Sequence, residues 1–104
     1  MELHTFSSLT EEFLQQYKGA MDEADVPVVF FSPHAIALKR LPTITETMVL
    51  KAFGNANIKV FTDSEALHQA LLAMDWHNAN LLMMSSGNFN GIDFALLAKE
   101  VLGK

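Results

Sequence analysis

A mixed α/β fold, with a mainly parallel sheet of about four strands flanked by helices on both faces, is predicted by three features of this 104-residue sequence. Short apolar stretches at Val28-Val29-Phe30-Phe31, Ile58 to Phe61 and Leu81-Leu82-Met83-Met84 read as strands. Between them, apolar residues recur at the three-and-four spacing of amphipathic helices. Ser/Thr-x-x-Glu pairs stand where those helices should begin, the spacing of a capping box. Strands alternating with helices imply parallel pairing and right-handed crossovers.

The elements follow in order. Met1-Glu2-Leu3-His4 reads as the tail of a strand, as expected of a piece cut from a longer polypeptide. Ser8-Leu9-Thr10-Glu11 offers the first capping box, and Phe13, Leu14, Tyr17, Ala20, Met21 and Ala24 form the face of the helix behind it. Glu11 and Glu12 suit its first turn through the helix dipole, and Asp25 and Pro27 end it. Val28–Phe31 is then a strand apolar on both faces, with Pro27 at its start, where a missing amide does least harm. Ala35 to Leu41 carries no clear pattern. Thr43-Ile44-Thr45-Glu46 opens a helix with Met48, Val49, Ala52 and Phe53 on its face, and Gly54 stops it. After the Ile58–Phe61 strand, Thr62-Asp63-Ser64-Glu65 opens a helix through Ala66, Leu67, Ala70, Leu71 and Met74. Leu81–Met84 follows as a strand buried on both faces, and Ile92 to Leu102 closes the chain as a helix. No repeat, low-complexity stretch or linker interrupts this order, so one Rossmann-like domain is expected.

Composition narrows the function classes. Half the residues are hydrophobic and 18% are charged, the balance of a packed domain. The net charge of −5 gives no electrostatic reason to expect nucleic acid or an anionic membrane as partner. Without cysteine there is no disulfide, thiolate metal site or Cys nucleophile, which fits a reducing, cytoplasmic setting. No apolar run approaches the ~20 residues of a membrane span.

The chemistry-bearing stretch is Ser85-Ser86-Gly87-Asn88-Phe89-Asn90-Gly91, a small-residue loop between a strand and a helix, where α/β proteins hold ligands. Gly87 and Gly91 permit positive φ or close approach to the backbone, and amides opening the next helix would favour an anionic partner. The loop matches neither the phosphate loop Gly-x-x-x-x-Gly-Lys-Ser/Thr nor Gly-x-Gly-x-x-Gly, so a ligand loop and a tight turn with nothing bound both fit. Among the histidines, His68 reads as a solvated helix residue and His77 as part of a turn. His4 and His34 each follow a strand, where a site gathers, although capping is the commoner fate of a lone His. No His-x-x-x-His pair and no Gly-x-Ser-x-Gly elbow is present, so neither a metal nor a catalytic residue is assigned. Lys39-Arg40 reads as a solvated pair or as a clamp for an anion arriving from a partner domain.

Two stretches, Glu2-Leu3-His4-Thr5-Phe6-Ser7-Ser8-Leu9 and Leu82-Met83-Met84-Ser85-Ser86-Gly87-Asn88-Phe89-Asn90-Gly91-Ile92, resemble the C-terminal domain of the Mur ligases. The second is similar to the Met-Ser-Asn/Ser-Gly-Gly/Asn-Phe-Gly-Gly-Ile segment of the branch that adds a murein tripeptide. The likeness extends over the whole chain in the same order of elements. It implies an acceptor-binding domain, lacking its own first elements, of an ATP-dependent enzyme of peptidoglycan synthesis or recycling. Such an enzyme joins L-Ala-γ-D-Glu-meso-diaminopimelate to UDP-N-acetylmuramate through an acyl phosphate. In relatives that add L-alanine, the opening motif is Pro-His-x-Tyr/Phe-Ser/Thr-Arg. His4, Phe6 and Ser7 match it, whereas Leu3 replaces the Pro and Ser8 the Arg, which points away from an L-alanine clamp and toward a peptide. The resemblance therefore implicates His4, Phe6, Ser7, Ser85, Ser86, Gly87 and Asn88 in holding the acceptor. ATP, magnesium and the UDP-sugar would belong to the central and N-terminal domains of the same polypeptide, so this fragment alone should bind no cofactor and catalyse nothing. The competing expectations are the domain of an L-alanine-adding relative, or a non-enzymatic Rossmann-like module for a small anion or a partner protein.

Overall fold

The structure, a computed structural model, describes residues 1–103. It is a mixed α/β domain built on a three-stranded parallel sheet, β1 (Glu2–Leu3), β2 (Val28–Phe31) and β3 (Lys59–Phe61), in the spatial order β1-β2-β3. Glu2 pairs with Phe30 and Leu3 with Phe31, while Val28, Val29 and Phe30 pair with Lys59, Val60 and Phe61. The Met1 amino group extends the first ladder by donating to the Val28 carbonyl, and burial pushes its pKa below the ordinary value.

β2 divides the core in two, as a strand apolar on both faces must. Val29 and Phe31 join Leu3, Leu9, Leu14, Met21, Ile36, Ile44, Val49, Phe53 and Ile58 on one side. Phe30 lies on the other with Leu67, Leu71, Phe89 and Leu97. The first cluster is closed by α1 (Glu11–Leu14), α2 (Pro33–Leu38) and α3 (Glu46–Phe53), the second by α4 (Ser64–Ala73) and α5 (Phe94–Leu102). Helices on both faces agree with the sequence.

Three expectations are corrected. Leu81–Met84 is not a buried fourth strand. It runs beside β1 with one bond, from the Glu2 N–H to the Met84 carbonyl (2.9 Å), and its residues alternate between half-buried (Leu81, Met83) and exposed (Leu82, Met84). At a sheet edge, only one side of the backbone has a neighbour. The first helix is also shorter than its apolar spacing suggests. It gives way to a 3-10 turn at Gln15–Tyr17 because Tyr17 stacks on Phe53 (5.2 Å, 4°) and the Gly19 N–H donates to the Phe53 carbonyl. Consequently Leu14 and Met21 are buried, whereas Phe13, Ala20 and Ala24 are exposed. The three capping boxes do not cap as expected. Ser8 bonds back to Thr5, α3 is capped by Thr45 through the Met48 N–H, and α4 by Asp63 through the Ala66 N–H. Where Ser, Thr and Asp cluster, several side chains compete for the same orphan amides.

α2 lies in the stretch without a pattern. Its signal is Ser32-Pro33: the Ser32 hydroxyl accepts from the Ala35 N–H, and Pro33 occupies the first turn, where it needs no amide partner. Lys39 and Arg40 finish that helix, Arg40 in the left-handed region (φ 55°), with basic side chains at the negative end of the dipole. Gly54 ends α3 in the same left-handed conformation, as expected.

Candidate functional site

The two stretches that carry the resemblance meet at the end of β1. The His4 ring lies against Gly87 so closely that a Cβ there would come within 2.9–3.0 Å of the ring. Gly87 is thus needed for close approach, whereas Gly91 is the one with positive φ (103°). Met84 beside Glu2 and Gly87 beside His4 show that the edge segment runs in the same direction as β1. Their carboxyl ends open side by side, the place where α/β sheets take ligands.

The residue that organises this corner is Glu2. Its side chain is 1% exposed. One carboxylate oxygen accepts from the Ser85 hydroxyl and from the Phe89 N–H (2.9 Å), and the other stands 3.6 Å from Nδ1 of His4. The Ser85 oxygen in turn accepts from the Gly87 N–H (2.8 Å). Hydrogen bonds donated to a carboxylate are of the stronger kind, so this cluster fixes the loop to the strand.

The loop itself is wound through three consecutive residues of positive φ, Phe89 (55°), Asn90 (57°) and Gly91 (103°). Phe89 is an unusual residue for that region and is retained by burial, its ring packed against Phe30 and Phe94. Asn88 closes the turn: its Oδ1 accepts from the Gly91 N–H (3.1 Å), and its carbonyl accepts from Gly91 and Ile92.

Of the seven expected site residues, His4, Ser85, Gly87 and Asn88 belong to this network or its turn. Ser86 is exposed at the loop surface. Phe6 is 59% exposed, and the Ser7 carbonyl accepts from the Thr10 N–H and hydroxyl. At the start of α5, where amides open to an anion were expected, Asp93 caps the helix by accepting from the Leu96 N–H (3.0 Å), so that amide is taken by the chain's own side chain. His68 is also not a solvated residue, for its Nε2 lies 2.9 Å from a Glu100 oxygen across α4 and α5. His34 is exposed in the first turn of α2.

Next to the loop is a groove of about 970 Å³ between the connecting segment from Met74 to Met83 and α5, floored by Phe89 and walled by Trp76, Leu81, Phe94 and Val101. Among the described residues no cluster of three or more His, Asp or Glu side chains suits a metal ion, and no helix is long and apolar enough to cross a membrane. Fold and site together define a small α/β domain with a braced loop at a strand end. No known protein family, curated protein or solved structure matches the chain.

Replacing Gly87 with alanine is expected to turn the His4 ring out of its position while costing under about 1 kcal/mol of stability, because a half-exposed side chain can move aside. A changed chemical shift for His4 with a nearly unchanged urea midpoint is the expected result.

Proposed function

We propose that this chain is the acceptor-binding, Rossmann-like C-terminal domain of a cytoplasmic, ATP-dependent, amide-forming ligase of the Mur type. The best-fitting reaction is the joining of a murein tripeptide to UDP-N-acetylmuramate. The observation that supports the reading is the meeting of the two Mur-like stretches, more than 80 residues apart in sequence, through the Glu2–Ser85 and Glu2–Phe89 bonds and the His4–Gly87 contact. A domain that must orient an amine for attack needs a rigid, shaped corner more than an acid/base pair, and a corner so braced provides one. In this reading ATP, magnesium and the sugar nucleotide are held by the other domains. The residues of this chain orient the acceptor and, on closure, exclude water.

The test uses the intact polypeptide that carries this chain, with ATP, UDP-N-acetylmuramate and either the tripeptide or L-alanine. Ligation of the tripeptide is expected; use of L-alanine instead would move the assignment to that branch, and no ligation would refute it. Asn88→Ala is expected to raise the tripeptide KM by about tenfold, with a smaller change in kcat, by loosening the turn that ends at Gly91. An unchanged KM would remove Asn88 from the site. The isolated chain is expected to bind no ATP in calorimetry, and tight binding would contradict this division of labour.

A further inference from the structure

The segment Leu81–Met84 has an edge to which no described residue hydrogen-bonds. Among the described residues, the N–H groups of Leu81, Leu82, Met83 and Met84 find no hydrogen-bond acceptor. Alternate residues of an extended segment turn their backbone groups to the same edge. Since the Met84 carbonyl faces β1, the N–H and C=O of Leu81, Met83 and Ser85 face outward. Side chains follow the same period: Leu81, Met83, Ser85 and Gly87 line the groove, while Leu82 is 71% exposed on the opposite face. Across the groove, Phe94, Ala98, Val101 and Leu102 form a stripe on α5, and Leu102 is 86% exposed.

Charge narrows what can cover this surface. The chain carries −5, yet no Asp, Glu, Lys or Arg occurs from Trp76 to Ile92. Sheet edges ordinarily carry a charge, a proline or a bulge that discourages pairing. This one has none of those charges and no proline. Two acidic molecules repel over most of their surfaces and can approach where the charge is absent. An uncharged, apolar, extended segment is the complement this edge needs, and Leu81–Met84 is itself such a segment.

We infer that Leu81–Ser85 is a dimerisation edge, at which a second copy of this chain pairs antiparallel about a two-fold axis through Met83. In that arrangement Met83 pairs with its own counterpart, and Leu81 with the partner copy's Ser85, so the outward backbone groups satisfy one another. An axis perpendicular to the sheet brings the two α5 stripes together over the joined strands and closes both grooves. The inference is independent of the ligase reading, since it concerns the chain alone.

Sedimentation equilibrium on the 104-residue chain tests it. The expected result is a concentration-dependent species of twice the 11.5 kDa of one chain. Met83→Pro removes the amide at the axis and should raise the dimer dissociation constant at least about 100-fold. Ala98→Glu, at an exposed helical position that tolerates glutamate, should do the same by opposing two carboxylates across the axis, with an unchanged circular dichroism spectrum. A wild-type chain that stays monomeric at several hundred micromolar overturns the inference. So does a dimer that survives Ala98→Glu, or one that survives Met83→Pro in a folded variant.

Discussion

Phe89→Ala is expected to lower the unfolding free energy by about 3–5 kcal/mol, a large share of what a domain of this size possesses. Phe89 is 2% exposed, and its ring packs between Phe30, itself fully buried on the central strand, and Phe94. Truncation would open a void in the smaller of the two core clusters, where Phe30, Leu67, Leu71 and Leu97 are also buried among the described residues. The backbone gives the prediction a second handle. At φ 55° an alanine keeps the strain and loses the ring, whereas a glycine loses both. Phe89→Gly should therefore be about 1 kcal/mol more stable than Phe89→Ala, the reverse of the order expected at an ordinary position. Urea unfolding followed through Trp76, the one tryptophan in the chain, provides the measurement. Its indole donates to the Leu71 carbonyl (2.7 Å) and packs on the same cluster. If alanine cost less than about 1 kcal/mol, or glycine were the worse of the two, the ring would not be what holds the loop.

What the sequence revealed of this corner, and what it hid, has a physical pattern. β2 was legible because four apolar residues at the centre of a sheet are buried whichever face they point to. Leu81–Met84 looks the same on paper, but burial at an edge depends on what lies beside it, which no local pattern records. Local signals overestimated the first helix because the contacts that end it, Tyr17 on Phe53 and Gly19 to Phe53, come from residues more than 30 positions away. The convergence of His4 with Gly87 was foreseeable, since both follow segments that end at the same side of the sheet. Glu2 was not foreseen as its centre. One acidic residue at the start of a strand is unremarkable until its partners, 83 and 87 residues later, arrive. The His68–Glu100 pair is a second instance, hidden by a separation of 32 residues between two helices. Asn-Phe-Asn-Gly did carry a usable signal, for Asn and Gly tolerate positive φ, and only Phe89 between them had to be forced by packing.

The role given to Glu2 yields the second large effect. Glu2→Ala leaves the Phe89 amide without an acceptor, while the exposed Ser85 can turn its hydroxyl to water. An orphaned buried donor costs about 1–3 kcal/mol, and loss of the charged partner puts the expected value near 2. Part of that loss is offset because a buried carboxylate is no longer held out of water, which keeps the figure below that for Phe89→Ala. Glu2→Gln retains a carbonyl oxygen for the Phe89 amide and should lose about half as much. Stability alone would not separate a brace from a packing residue, so hydrogen exchange is the sharper measurement. In Glu2→Ala the Phe89 and Gly87 amides should exchange at least about tenfold faster relative to amides of β2 and β3, and in Glu2→Gln only Gly87, through the weakened Ser85 contact, should change strongly. Uniform acceleration across the sheet would instead mean that Glu2 supports the whole domain, and the loop would lose its claim to be separately held.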